Sequence, residues 1–162
     1  MDADIQRSND WIELLALVAR YSRGLDTKDY ALFRSCFAEP IHVVYDVSTV
    51  GVSGDRLTFH DLDRLVEESK RIHAPLHRIM HRNTNQSFVI DGDRATGRVY
   101  VDVFQVRLQD RTVPETTHHL GWYDDVYVRT ADGWRFSERH YVTNWSEGGW
   151  LGAEAGPAPV SV

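Results

Sequence analysis

A length of 162 residues suits one domain built on one core, and a net charge of −6 with no basic stripe excludes general affinity for nucleic acid. Hydrophobic residues at 42% and charged residues at 26% are an ordinary soluble balance, and no apolar run approaches the ~20 residues that a membrane helix needs. Cys36 is the single cysteine, which excludes an intrachain disulfide and a cysteine-based zinc site. The opening Met1-Asp2-Ala3-Asp4 is acidic and lacks the basic and apolar regions of a secretion signal, so the expected location is the cytoplasm.

Asp10 followed by Glu13 has the form of a capping box opening a first helix. Trp11, Ile12, Leu14, Leu15, Val18, Ala19 and Tyr21 then recur at helical spacing, and Gly24 offers a stop. A second, short helix is predicted over 28–36, with Asp29 as the better cap, and Pro40 ends that segment. Residues 42–47 read as a strand, Gly51 and Gly54 as loop or edge structure, and 58–71 as a third helix with an apolar stripe of Phe59, Leu62, Leu65 and Val66.

After Pro75 the pattern changes to strands over 79–90, 95–108, 116–129 and 134–145. Asp91-Gly92-Asp93 and Asp132-Gly133 supply tight turns between them, and 109–114 is a polar connector. Three helices followed by four long strands in sequence predict an α+β domain over 1–145: a cone-shaped barrel, helices packed on a curved, mostly antiparallel sheet. Such a cone encloses one cavity, a natural small-molecule site. The tail 146–162, rich in Gly, Ala and Pro, is expected to be loose or docked on a neighbouring subunit. The long aromatic strands are hard to cover with three helices, which predicts a homodimer or homotrimer through the outer face of the sheet.

Two isolated polar features stand out. His81 lies among apolar neighbours at the start of the first long strand, and Asp26 follows the first helix. If the fold brings them together, the carboxylate would orient the imidazole as a general base. Taken alone, a histidine on an apolar strand reads more readily as a satisfied core residue, and Asp26 as a helix cap. Asp102 interrupts the run Val99, Tyr100, Val101, Val103 and Phe104, where a carboxylate must face solvent, pair, or work. Tyr21 and Tyr45 read as helix-core and strand residues. Tyr100, Phe104 and Trp122 are candidates for lining an apolar substrate site, although Trp122, like Trp134 and Trp145, reads equally as core or subunit interface. His118 and His119 point to opposite faces of a strand, and Pro75 breaks any helix joining His73 to His77, so no metal site is expected.

The order of elements, the segment Tyr21 to Tyr30, the His81 strand, and Gly121-Trp122-Tyr123-Asp124-Asp125 followed by Asp132-Gly133-Trp134-Arg135-Phe136 and Arg139 together resemble the SnoaL-like branch of the nuclear-transport-factor-2-like superfamily, nearly to Trp145. Asp26 and His81 look like the pair shared by its lyases: scytalone dehydratase, bile-acid 7α-dehydratase and hexachlorocyclohexane dehydrochlorinase. The resemblance implies that Asp26 holds His81, that Tyr21 and Tyr45 assist the departing group, that Asp102 is a second acid, and that Arg139 binds substrate. Leu25 stands where scytalone dehydratase has a second tyrosine, and its second histidine and Ser/Asn pair have no clear counterparts, so its substrate is not implied. The implied activity is a cofactor-independent lyase, of dehydratase type, acting on a small apolar cyclic substrate, in keeping with secondary metabolism. The alternatives are a polyketide cyclase or isomerase using the same pocket, in which Asp102 would matter more, and a non-catalytic binding or dioxygenase small-subunit module, which would have a poorly polar cavity.

Overall fold

A computed structural model describes residues 3–46, 56–110, 112–149 and 151–152. Helices α1 (Ala3–Asp26), α2 (Tyr30–Arg34) and α3 (Leu62–His73) pack against six strands. These are β1 (Phe37–Asp46), β2 (Arg56–Phe59), β3 (Arg78–Asp91), β4 (Arg94–Gln109), β5 (Val113–Thr130) and β6 (Gly133–Glu147). The strands form one sheet in the order β2-β1-β6-β5-β4-β3. β3 to β6 are an antiparallel meander, β1 runs parallel to β6, and β2 hangs antiparallel on β1. The curved sheet stays open, with β2 and β3 as its edges, and wraps the helices into a cone.

The core fills the narrow end. Leu14, Leu17, Val18 and Tyr21 of α1 meet Phe33, Val43, Val99, Tyr127, Trp134 and Phe136, all buried. On β4, Ala95, Val99, Val101, Val103 and Gln105 point inward, alternating with outward Tyr100, Asp102 and Phe104. The outer face therefore carries exposed Met80, Tyr100, Phe104, Leu120 and Trp145.

Four local readings change. Asp10 does not cap α1; the helix begins about two turns earlier, and Asp10 is buried within it. Its carboxylate accepts a forked pair of hydrogen bonds from Arg129 at 2.7 and 2.8 Å and one from Trp134 Nε1 at 3.2 Å. Those partners hold its carboxyl below the usual carboxylate range, Arg129 first. Gly24 does not end α1 either. It lets α2 approach, since a Cβ there would lie 2.8 Å from the backbone nitrogen of Phe33. Residues 56–59 form β2 rather than the start of α3, which Asp61 caps by accepting from Arg64 N at 2.8 Å. Pro40 sits inside β1, after a cis peptide bond, instead of closing a helix. Asp29 caps α2 through Leu32 N, as its sequence position suggests.

The turn at Gly92 has φ +57, and that at Gly133 has φ +93. Leu151, at the start of the expected tail, is buried in the chain's own core, and its carbonyl accepts from Arg107 at 3.4 Å. Ser146 and Glu147 of the expected tail continue β6, whereas residues 150 and 153–162, and the readings at Val47, Gly51 and Gly54, lie outside the described residues.

Gly121 sits where the β5–β6 register shifts, and a Cβ there would fall 2.1 Å from the carbonyl oxygen of Val142. Backbone cannot yield as a flexible side chain can. Gly121→Ala is expected to cost at least ~2 kcal/mol, read from the midpoint of urea unfolding. An unchanged midpoint would contradict this close approach.

Candidate active site

The wide end of the cone is a cavity with about 690 Å³ of atom-free space, the solvent at its mouth included. Its lining combines Leu25, Leu57, Ile72 and Val103 with Tyr21, Tyr45, Ser69, His73, His81, Gln105, His119, Tyr123, Tyr141 and Thr143.

Asp26 and His81 meet at this cavity, though 55 residues separate them. β3 is an edge strand, so its outward N–H groups lack a ladder partner. Asp26, the last residue of α1, accepts the backbone N–H of His81 on both carboxylate oxygens at 3.1 Å. Its Oδ1 also lies 2.6 Å from His81 Nδ1. A carboxylate only accepts, so Nδ1 carries the proton and Nε2 is the basic nitrogen. A second link ties the same two elements together, with Asn83 Nδ2 donating to Ser22 Oγ at 2.7 Å.

Tyr21 and Tyr45 share a hydrogen bond at 3.0 Å between their hydroxyls. Burial raises the pKa of both phenols, so both stay protonated and one hydroxyl hydrogen remains for a ligand. For Tyr21 the Arg139 guanidinium opposes that rise.

Arg139 does not line the cavity. It lies one layer deeper, its guanidinium carbon 4.0 Å from the ring centre of Tyr21 and 3.9 Å from those of Tyr123 and Phe136. It donates twice to Asp125, at 2.7 Å each, and both side chains are fully buried. Tyr127 donates to the same carboxylate at 2.8 Å. Burial works against its charge, but Asp125 outweighs it and holds the guanidinium protonated. A cation so neutralised and covered is not available to a substrate, which corrects its assignment as a binding residue.

Four further candidates lie on the outer face, opposite the cavity. Asp102 pairs there with Arg82 Nη2 at 2.6 Å and with His118 Nε2. Tyr100 is 42% exposed and Phe104 is 38% exposed. Trp122 stacks near Tyr100, with ring centres 6.2 Å apart, and donates to Asp124 at 3.2 Å. All have the same strand parity as Asp102, so none reaches the cavity while Val101, Val103 and Gln105 face it.

The cavity also brings in residues not singled out from the sequence: His73 at the end of α3, Gln105, His119, Thr143 and Ser69. The signal for His119 was strand parity, since Thr117, His119, Gly121 and Tyr123 are all buried between more exposed neighbours. Burial depresses the pKa of His119 to about 4, with His118 and His81 adding to it. Burial likewise depresses His73 to about 3, with His81 and Lys28 adding to it. Both imidazoles are neutral in the folded protein at pH 7.

These depressions set a pH dependence. In the unfolded chain both histidines take up a proton near their ordinary value of about 6.5, while the folded state resists it. Their stabilising effect is complete above pH 6.5 and is lost as pH falls toward 4. The melting temperature is expected to drop between pH 7 and pH 5, and His73→Gln/His119→Gln should shrink that drop. An equal drop in the variant would show that other groups govern it.

Among the described residues no group of three or more His, Cys, Asp and Glu is arranged to hold a metal ion, and no helix is long and apolar enough to cross a membrane. Cys36 is buried, and burial pushes its thiol up to about 11.

No curated protein matches the chain. Among solved structures, the Kfla4162 protein of Kribbella flavida is 26% identical, with a TM-score of 0.77 over 87% of this chain and 95% of its own. A scytalone dehydratase candidate from Novosphingobium aromaticivorans is 17% identical, with a TM-score of 0.76 over 96% of this chain and 97% of its own. Hexachlorocyclohexane dehydrochlorinase LinA-type3 from Novosphingobium barchaimii is 15% identical, with a TM-score of 0.74 over 99% of this chain and 100% of its own. At 17% and 15% identity the latter two speak for the fold alone. The model of the SnoaL-like domain matches residues 6–140, and the chain belongs to that family, within the nuclear-transport-factor-2-like superfamily.

Proposed function

We propose that the protein is a lyase of dehydratase type, using His81 as a general base held by Asp26. The observation that carries this reading is the Asp26–His81 contact at 2.6 Å beside a cavity lined by aliphatic side chains and by hydroxyl, amide and imidazole groups. His81 Nε2 takes a proton from a carbon next to an electron-withdrawing group. The electron pair left behind forms the new carbon–carbon double bond as the neighbouring C–O bond breaks. The leaving hydroxyl takes a proton from the Tyr21–Tyr45 pair and departs as water, and the imidazolium then returns its proton to the pair through solvent. Positioned proton transfer of this kind typically supplies ~10²–10⁴-fold in rate.

The similar dehydratase and dehydrochlorinase structures are consistent with such chemistry. The cyclase alternative leaned on Asp102 as an acid inside the cavity, and the outward position of Asp102 removes that support. The non-catalytic module called for a poorly polar cavity, whereas three histidines, a glutamine and several hydroxyls line this one.

The test incubates cyclic β-hydroxy ketones with the protein and follows the conjugated enone by its ultraviolet absorbance, with proton exchange at the α-carbon read in D₂O. Enone formation and exchange that both need His81 would support the reading. Turnover indifferent to His81 would end it.

A further inference from the structure

Three hydroxyls at or just behind the cavity wall have their hydrogens already committed. Ser69 Oγ donates to Leu65 O at 2.8 Å, and Thr143 Oγ1 donates to Asp46 O at 3.1 Å. Thr117 Oγ1, just behind His119 on β5, donates to Glu147 O at 2.7 Å. A hydroxyl has one hydrogen, so toward His119 Nε2, 3.4 Å away, Thr117 can only accept. Nε2 therefore carries the proton of the neutral His119 ring, and Nδ1 is left as a bare lone pair. That Nδ1 is buried and has no partner, and His119 as a whole is 3% exposed. Gln105 lies diagonally across the β4–β5 ladder from it and has the same condition, with Oε1 buried and unpartnered and the residue 5% exposed.

Buried polar atoms without a partner are costly, about 1–3 kcal/mol each, and are uncommon in folded proteins. Three of them, with His73 Nδ1 as the third, line one cavity, which marks a site that a ligand completes. His81 and His119 lie in one row across the sheet, each beside Val103 on a neighbouring strand. Two strand spacings of ~4.8 Å put their backbones about 10 Å apart, with the inward Val103 side chain between them, so both imidazoles border the same stretch of cavity.

We infer that His119 Nδ1 and Gln105 Oε1 form an acceptor wall that selects an uncharged ring compound through its hydroxyl hydrogens. These two atoms offer lone pairs, so a ligand that satisfies them must bring the donors. Among the described residues the lining contains no lysine or arginine, and Arg139 beneath it is already neutralised by Asp125, so a carboxylate or phosphate finds no counter-charge there. An ether, which has no O–H, leaves both acceptors unsatisfied. The inference names the substrate class of the site proposed above and rests on that cavity being the substrate site. It assigns His119 a role in specificity, apart from the proton transfer given to His81.

The experiment measures binding, without turnover, of three probes to the intact protein by calorimetry or NMR titration: resorcinol, 1,3-dimethoxybenzene and benzoate. Resorcinol is expected to bind at least about tenfold tighter than the other two. His119→Phe should abolish that preference while leaving 1,3-dimethoxybenzene within about threefold, and His119→Gln, which keeps an acceptor, should retain it. In the wild-type protein the ¹⁵N resonance of His119 Nδ1 should move on adding resorcinol, a readout independent of whether His119→Phe folds. Equal binding of the three probes, no saturable resorcinol binding, a preference that survives His119→Phe, or an unmoved Nδ1 resonance would each overturn the inference. None of these outcomes bears on the His81 base, which fails only if His81→Ala turns over normally.

Discussion

Replacing His81 with alanine is expected to lower turnover by about 10²–10⁴-fold while leaving the unfolding midpoint near that of the parent chain. The side chain lies against a cavity rather than within the packed core, so its removal enlarges existing space. Asp26→Asn is expected to fall in the same range for a different reason. The Asn carbonyl oxygen can still accept the backbone N–H of His81, which keeps β3 docked on α1. Its amide, however, can donate to Nδ1 and favour the tautomer with the proton on Nε2. The nitrogen that must accept the substrate proton is then already occupied. The two variants should differ in their pH–rate profiles. His81→Ala loses the basic limb outright, while Asp26→Asn keeps a limb at reduced height. Undiminished enone formation by either variant would detach the pair from the chemistry.

The second large effect is on stability. Asp125→Ala is expected to cost ~3–5 kcal/mol, because it leaves the Arg139 guanidinium charged, buried and unpaired among three aromatic rings. That is comparable to the ~5–15 kcal/mol by which domains of this size are usually stable. The Tyr127 hydroxyl would lose its acceptor as well. Arg139→Met should cost a similar amount, since it leaves the Asp125 carboxylate without a counter-charge in the same apolar layer, held only by the Tyr127 hydroxyl. The double variant Asp125→Leu/Arg139→Met should be much less damaged than the sum of the two, because apolar side chains of similar volume can replace a buried pair. Urea unfolding of the parent, Asp125→Leu, Arg139→Met and the double variant closes the cycle, since Asp125→Leu unpairs the guanidinium as Asp125→Ala does. Additive costs, or an Asp125→Ala protein within ~1 kcal/mol of the parent, would contradict the picture of one sealed ion pair.

How far the sequence discloses this molecule depends on the range of the determining contacts. The hairpins at 91–93 and 132–133 follow from Asp-Gly turns, and the cap of α2 from Asp29, because both are local. Asp10 has the chemistry of a cap and lies near the start of a helical pattern. Besides Gln6 within the helix, its partners are Arg129 and Trp134, 119 and 124 residues away, and nothing local reveals those two. The pairing of Asp26 with His81 is as remote, and it was read through resemblance rather than from spacing.

The strand faces were hidden for a different reason. On β4 both faces are rich in large apolar side chains: Val99, Val101 and Val103 inside, Tyr100 and Phe104 outside. Alternation then marks a strand but does not say which side is the cavity. Choosing the aromatic side placed Asp102, Tyr100, Phe104 and Trp122 in the site and left out Gln105 and His119. Arg139 has the inward parity, yet its depth depends on the rings of Tyr21 and Tyr123 closing over it.

One long helix carries both remote carboxylates. Asp10 and Asp26 lie on α1, which has 24 residues, so their separation and relative angle are fixed by helix geometry alone. One end is bolted to the β5–β6 hairpin and the other to the edge strand. Adding or deleting a single residue between them would swing one carboxylate by about 100° around the axis and shift it by about 1.5 Å. The rod therefore acts as a spindle of set length, and insertions or deletions are tolerable only outside that span, where they do not part Asp26 from its imidazole.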